Sequence, residues 1–205
     1  MTEKIIDYTP EYWEKRYKEK SAQMDSDDPT PILKELLKSE YFSEPGKIAI
    51  IGCALCQDVV LFAKNNYLVT VISPSQSVIN QIRKKAKKLK SVIETTYSDL
   101  FALSGKLLHK FDYLVEYSFS SEIHPDRQME YFDNIQKLIK PGGLLIIFLQ
   151  MYSNLDAGPP FPVDVIKLEN HLKEKFRLIE SKPRQTSIKE NGYKEVLLIW
   201  KKYLV

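Results

Sequence analysis

The sequence lacks the long apolar runs of membrane proteins and the biased tracts of disordered ones. No stretch is long enough to span a bilayer, and polar residues rather than an apolar signal region follow Met1. No internal repeat and no linker interrupts the 205 residues, which are enough to bury a substantial core. We therefore expect one folded domain, residues 1–205, that works in the cytoplasm without a membrane partner.

Cysteine is scarce, and the two in the chain, Cys53 and Cys56, form a Cys-x-x-Cys. In the cytoplasm they are expected to be reduced, and a cystine between them would stabilise little because it closes a tiny loop. A Cys-x-x-Cys that starts a helix is also typical of redox proteins. As a zinc site it lacks a second pair of ligands, so no metal is predicted. The other interpretation is a nucleotide-binding loop in which glycines are replaced.

Excess charge of one sign is small, since the formal net charge is +3. Much of it lies in "RKKAKKLK", residues 83–90, and no aromatic residue interleaves these basic side chains. We therefore interpret this segment as the solvated end of a helix and not as a nucleic-acid patch. A nucleic-acid partner is not predicted.

From Pro45 onward the sequence contains a regular alternation of strands and helices. "GKIAIIG" is continuously apolar, which is typical of a strand buried in a parallel sheet. Four further strand segments follow: "YLVTVIS", "SVIETTY", "FDYLVEYSF" and "LLIIFLQM". Helical segments separate them, except that the loop "SDLFAL" follows "SVIETTY". The last two strands, "FRLIESK" and "YKEVLLIWKKYL", are predicted to form a hairpin across Asn191 and Gly192.

This order predicts an α/β fold, a three-layer, doubly wound (Rossmann-like) sheet of seven mostly parallel strands in residues 45–205. Residues 1–44 are predicted to form a helical N-terminal cap, with helices in "TPEYWEKRYKEK" and "PILKELLKSEYF". The helix in "PDRQMEYFDNIQKLIKPGG" is expected to end in a turn at its Pro-Gly-Gly.

Ligands of such sheets bind outside the carboxyl ends of the strands, and the first strand-to-helix turn offers free N–H groups. Residues 52–58 occupy that turn in "KIAIIGCALCQDVVLFAK". Here the sequence resembles the thiopurine methyltransferase-like branch of the class I S-adenosylmethionine-dependent methyltransferases, which includes thiol, thiocyanate and halide methyltransferases. The similar segments are "YWEKRYKE", "GCALCQDVVLFAKNNYLVTVI", "SDLFAL", "FDYLVEYSFSSEIHPDRQMEYFDNIQKLIKPGGLLIIF" and "GPPFPV". The resemblance implies S-adenosylmethionine as cofactor and S-adenosylhomocysteine as product.

The resemblance also implies which residues form the site. Cofactor contacts are expected from Trp13, Gly52, Cys53, Ala54, Asp58, Ser73, Asp99, Leu100 and Glu116. Substrate contacts are expected from Tyr117, Phe119, Pro160 and Phe161, and catalytic assistance from Glu116 and His124. Several also have ordinary structural interpretations: a first-turn helix acid for Asp58, a turn residue for Asp99, core packing for Trp13, a solvated strand-end carboxylate for Glu116 and an exposed loop histidine for His124.

Three positions depart from the family pattern. Ala54 and Cys56 stand where its second and third glycines permit positive φ and a close approach of the backbone to the cofactor. Ser73 aligns with an acid that chelates the ribose hydroxyls in the family. Losing a charge-assisted hydrogen bond there costs about 1.5–3 kcal/mol of binding free energy.

Two functions are therefore open. The first is methyl transfer from S-adenosylmethionine to a small soft nucleophile, such as a thiol, thiocyanate or a halide. The protein would align donor and acceptor and exclude water. An anionic acceptor needs no general base, whereas a neutral thiol would be assisted by Glu116 or His124. The second function is that of a non-catalytic protein of the same fold, with an eroded cofactor loop, that acts as a binding or regulatory module.

Overall fold

The computed structural model describes residues 8–20, 28–52, 57–89, 92–151, 158–185 and 194–204. Over these residues the helices are α1 (Pro10–Lys20), α2 (Pro31–Leu36), α3 (Gln57–Lys64), α4 (Gln76–Leu89), α5 (Pro125–Ile135) and α6 (Val165–Leu172). The strands are β1 (Lys47–Ile51), β2 (Leu68–Ser73), β3 (Ile93–Tyr97), β4 (Phe111–Tyr117), β5 (Ile139–Met151), β6 (Phe176–Gln185) and β7 (Lys194–Lys202). None of the helices in these ranges is long and apolar enough to cross a membrane.

The seven strands form one sheet in the order β3-β2-β1-β4-β5-β7-β6. β1 pairs in parallel with β2 on one side and with β4 on the other, so that Ile48 lies opposite both Val69 and Tyr113. β7 runs antiparallel to both of its neighbours, β5 and β6, whereas the other strand pairs of the described sheet are parallel. The predicted doubly wound, mostly parallel, seven-stranded sheet is therefore confirmed. Its strand order reverses at β1 and β4, and the carboxyl ends of these strands bound the crevice where such folds bind ligands.

Two apolar layers cover the sheet and complete the three-layer architecture. After Lys47, all of β1 is buried, as expected for a central strand covered on both faces. One layer packs α1, α5 and α6 on one face, and its members include Trp13, Tyr131 and Leu168. The other layer packs α2, α3 and α4 on the opposite face, and its members include Leu33, Phe62 and Ile82.

The second predicted helix is shorter than expected. α2 ends at Leu36, and Glu40–Phe42 form a separate 3₁₀ turn. Ser39 lies between them, and its hydroxyl donates to the carbonyl oxygen of Leu36 at 2.6 Å. A serine side chain that bonds to the backbone competes with helical hydrogen bonds, so the helix ends here. The prediction of one continuous helix over "PILKELLKSEYF" is wrong.

The Pro-Gly-Gly segment also differs from its prediction. α5 ends at Ile135, and residues 139–143 already belong to β5 instead of forming a turn. Gly142 has φ +78, and the register of β5 with β4 is irregular beside it. A Cβ on Gly143 would lie 2.8 Å from the carbonyl oxygen of Asp112. The two glycines therefore let β5 start early, as an irregular segment pressed against β4.

The last two strands pair as a hairpin would require. β6 and β7 are antiparallel, from Phe176 opposite Lys202 to Gln185 opposite Lys194. The turn predicted at Asn191 and Gly192 lies outside the described residues.

Candidate active site

The turn after β1 approaches the carboxyl end of β4 closely. Gly52 has φ +84, a conformation that residues with a side chain rarely adopt. A Cβ at this position would lie 2.5 Å from the carbonyl oxygen of Tyr117 and 3.0 Å from the Cβ of Phe119. The glycine therefore lets the two strand ends meet with no side chain between them. The next predicted members of the loop, Cys53, Ala54 and Cys56, lie outside the described residues.

The carboxyl end of β2 carries serines. Ser73 is buried, and its Oγ accepts a hydrogen bond from the backbone N–H of Ser75 at 3.1 Å. Oγ of Ser75 in turn accepts a hydrogen bond from the N–H of Val78 at 3.2 Å, which caps the first turn of α4. The hydroxyl that was predicted to bind ribose is thus part of the turn that starts α4.

Glu116, the penultimate residue of β4, is a fully buried carboxyl group. Its Oε1 accepts hydrogen bonds from the N–H of Ser120 at 2.7 Å and from the hydroxyl of Tyr131 at 3.4 Å, whereas Oε2 makes no hydrogen bond. Burial raises the pKa of Glu116 to about 8, because desolvation outweighs the hydrogen bonds that favour the carboxylate. At pH 7 the group is therefore mostly a neutral acid, and one of its oxygens is free.

Four aromatic rings, those of Tyr8, Trp13, Phe101 and Phe119, form what we call the aromatic cover. Trp13, from α1, stacks on Tyr8 with ring centres 5.3 Å apart and contacts Phe119 at 4.8 Å. Tyr8 also stacks on Phe101, in the loop after β3, at 5.4 Å. The cover joins α1 to the loops that follow β3 and β4, so α1 lies across the carboxyl edge of the sheet. It brings together Trp13 and Phe119, which the sequence predicted as cofactor and substrate contacts.

Polar contacts hold α1 in this position from two sides. The guanidinium of Arg16 donates from Nε and Nη2 to Oε2 of Glu122, at 3.0 and 2.7 Å. On the other side, Oε1 of Glu14 accepts hydrogen bonds from Oγ of Ser75 and from the N–H of Ser77, both at 3.0 Å. α1 is therefore tied both to the turn after β4 and to the start of α4 after β2.

His124 and Phe161 meet at the rim of the aromatic cover. The ring centres of the two residues lie 5.3 Å apart in an edge-to-face contact. The backbone N–H of His124 donates to the hydroxyl of Tyr8, and the N–H of Phe161 donates to the carbonyl oxygen of Ser121 at 2.6 Å. The His124 side chain is 26% exposed, and Pro160, which precedes Phe161, is half-buried. A molecule entering from solvent can therefore reach the imidazole.

Asp58 and Asp99 make contacts that define local structure. Oδ1 and Oδ2 of Asp58 accept hydrogen bonds from the N–H and the hydroxyl of Thr30, at 2.7 and 2.8 Å, which fixes the start of α2 against α3. Asp99 is exposed, and its Oδ1 accepts from the N–H of Phe101 at 2.8 Å. Leu100, which lies between Asp99 and Phe101 in the sequence, is buried in the same core layer as Trp13. The cofactor roles of these three residues stay predictions.

Tyr117 lies apart from the other predicted substrate contacts. Neighbouring residues of a strand point to opposite faces of its sheet, so Tyr117 and Glu116 diverge. The ring of Tyr117 packs on Phe148 with ring centres 5.0 Å apart, and its hydroxyl lies 3.4 Å from Oε1 of Glu195 on β7. Phe119, by contrast, packs against Trp13 in the layer on the other face. The structure does not bring Tyr117 to the aromatic cover.

Sequence analysis missed three residues of this region. Tyr8 and Arg127 line the cover, where the Arg127 guanidinium lies 3.8 Å from the ring centre of Phe101. Glu14 follows Trp13 directly and therefore lies about 100° further round the helix. The aromatic spacing of α1 was a usable signal for Trp13. It carried no information about Glu14, whose partners lie 61 and 63 residues further along the chain.

The fold described above also occurs in a methyltransferase of known structure. That protein is the 1,6-didemethyltoxoflavin-N1-methyltransferase of Burkholderia thailandensis, solved with bound S-adenosylhomocysteine. The TM-score is 0.75 over 95% of this chain and 87% of that chain, at 14% sequence identity. A sequence identity this low supports a shared fold only. The family is shown by the sequence comparisons that follow.

The chain belongs to the thiopurine S-methyltransferase family, because the model of that family matches residues 8–201. Thiocyanate methyltransferase 1 of Brassica oleracea is 28% identical, with 98% of this chain and 91% of that protein aligned. The probable thiol methyltransferase 2 of Arabidopsis thaliana is 26% identical over 78% of this chain and 70% of that protein. Family and fold agree on a methyltransferase.

Proposed function

We propose that this protein transfers the methyl group of S-adenosylmethionine to a small soft nucleophile, such as a thiol, thiocyanate or a halide. One observation carries the proposal: α1 is tied across the carboxyl edge of the sheet, so that Trp13 lies against Phe119 at the end of β4. A site covered by a helix in this way suits a small acceptor better than a macromolecule. The names of the thiol and thiocyanate methyltransferases among its relatives support the choice of acceptor.

The residues present fit a cationic cofactor. Oε2 of Glu116 is a buried oxygen without a partner, and Trp13 and Phe119 bring aromatic rings, which attract cations, to the same edge of the sheet. Those residues and Gly52 would hold the cofactor, together with the predicted contacts Cys53, Ala54, Ser73, Asp99 and Leu100. When bound, S-adenosylmethionine supplies a sulfonium methyl group that an acceptor displaces in line.

The protein's own groups would orient the acceptor, exclude water and handle one proton. The aromatic cover, with α1 as its lid, keeps water from the reacting atoms. A thiocyanate or halide ion brings no proton, so it needs no base. A neutral thiol has a pKa of about 8.5, close to the pKa of about 8 to which burial raises Glu116. Only the ionised form of Glu116 can accept that proton, and burial makes this form more basic than an ordinary carboxylate; His124 at the rim is the second candidate.

The second candidate function, a non-catalytic binding or regulatory module, has one observation in its favour. Ser73 provides no charge at the end of β2, and its hydroxyl already accepts a hydrogen bond from Ser75. A site that has lost its acid is expected to bind the cofactor roughly ten- to a hundredfold more weakly than a site that keeps it. The two functions therefore differ first in cofactor affinity.

Calorimetric titration with S-adenosylmethionine and with S-adenosylhomocysteine separates the two functions. We expect micromolar binding of both ligands, and none of ATP, which shares the adenosine portion but replaces the amino-acid portion by phosphates. An absence of heat and of any thermal shift at millimolar ligand would instead support the non-catalytic module.

A further inference from the structure

We propose that Glu14 of α1 supplies the carboxylate that binds the ribose hydroxyls of the cofactor, in place of the acid that β2 lacks at Ser73. This inference rests on the proposed function, since it concerns the same cofactor. It assigns to the N-terminal helix a contact that would otherwise come from the sheet.

The position of Glu14 carries the inference. Its Oε1 accepts hydrogen bonds from Oγ of Ser75 and from the N–H of Ser77, both at 3.0 Å, and its Oε2 accepts from Oγ of Ser77. The N–H of Ser75 donates to Oγ of Ser73 at 3.1 Å. The carboxylate and the Ser73 hydroxyl therefore lie on two sides of a single residue, Ser75, at the carboxyl end of β2.

Glu14 is held in its charged form. Burial alone would raise the pKa of its carboxyl group, but the hydrogen bonds from Ser77, Ser75 and the backbone of Gln76 outweigh burial and lower the pKa. The start of α4 adds the positive end of a helix dipole. The edge of the sheet thus has the negative charge whose absence was inferred from Ser73 alone.

The groups that Glu14 binds are of the kind that ribose offers. Two of its donors are serine hydroxyls, which rotate freely and can turn toward other acceptors, whereas the N–H of Ser77 is fixed. A pair of ribose hydroxyls can replace the two serine hydroxyls while the bond to the N–H persists. Because Glu14 follows Trp13 in α1, one helix would deliver both the aromatic lid and the ribose contact.

The test is a thermodynamic cycle in which one change removes the Glu14 carboxylate and the other removes a ribose hydroxyl from the ligand. Calorimetry compares S-adenosylhomocysteine with its 2′-deoxy and 3′-deoxy analogues on the native protein, on Glu14→Gln and on the control Glu11→Gln, an exposed acid of the same helix. For the native protein and the control we expect removal of a hydroxyl to weaken binding by about ten- to a hundredfold. On Glu14→Gln, S-adenosylhomocysteine itself is weakened by that factor, and removing the hydroxyl costs little more.

A second variant, Ser73→Asp, tests the inference without removing Glu14. In the native background it is expected to bring no gain in affinity, because a second carboxylate beside Glu14 is repelled by it. In Glu14→Gln it should restore affinity, because it moves the carboxylate back to β2. A tenfold gain from Ser73→Asp alone, or equal losses with the deoxy analogues on native protein and Glu14→Gln, would overturn the role of Glu14 and leave the proposed function standing. Failure of the native protein to bind either cofactor form would overturn both.

Discussion

Replacing Gly52 by alanine is expected to destabilise the fold by roughly 2–4 kcal/mol, the sum of a strained backbone and an overpacked contact. The residue has φ +84, and a Cβ there would lie 2.5 Å from the carbonyl oxygen of Tyr117. Neither strand end can retreat cheaply, because β1 and β4 are central and pair with each other over four residues from Ile48 to Ile51. Urea unfolding followed by circular dichroism measures the change.

Gly105→Ala is the matched control, because a Cβ at Gly105 meets nothing within 4 Å. We expect its free energy of unfolding to lie within about 0.5 kcal/mol of that of the native protein, as is usual for surface substitutions. If Gly52→Ala were equally mild, the strand ends would not meet as described, and the position of the cofactor crevice between β1 and β4 would be in error.

Glu116→Gln is expected to change how stability depends on pH. The pKa of Glu116 is about 8 in the folded protein against an ordinary value of 4.5, so the folded state holds a proton that the unfolded state has released between these values. Stability conferred by this group is therefore full below about pH 4.5 and is lost as the pH rises towards 8, by at most about 1.4 kcal/mol per pH unit. Glutamine keeps the acceptor for Ser120 and carries no titrating proton.

We expect the native protein and Glu116→Gln to be similarly stable at pH 5, and the variant to be the more stable at pH 8. Urea unfolding at half-unit pH intervals measures this difference. Glu44→Gln, a change of an exposed carboxylate, should follow the native profile throughout. Parallel profiles for Glu116→Gln and the native protein would show that the carboxyl group is hydrated, and its role as a proton acceptor matched to a thiol would lose its basis.

The sheet was predictable because the alternation of strands and helices spans most of the chain, and connection rules then leave few topologies. Local details were not. The end of α2 depends on one hydroxyl, that of Ser39, and the early start of β5 depends on close backbone contacts that Gly142 and Gly143 permit. Composition names the turn residues but does not say whether they form a turn or an irregular strand.

For the site, the sequence offered candidates where a residue aligns with the family pattern, and their roles stay predictions. The resemblance to the family pointed to Glu116 and Trp13 as site residues. It also grouped Tyr117 with them, although the period of two along β4 turns Tyr117 to the other face of the sheet from Glu116. The role of Glu14 was not predictable, because its contact depends on where α1 crosses the edge of the sheet. Asp58 is a similar case, since its partner Thr30 lies 28 residues earlier in the chain.

Methyl transfer itself is the most direct test. The protein is incubated with S-adenosylmethionine labelled in its methyl group and with thiocyanate, iodide or hydrosulfide, and the vapour above the solution is analysed for labelled products. We expect labelled methyl thiocyanate, methyl iodide or methanethiol from at least one acceptor, in proportion to protein and blocked by S-adenosylhomocysteine. Cofactor binding without any labelled product, from these or from larger thiols, would contradict the proposed function and leave a methyltransferase fold that only binds.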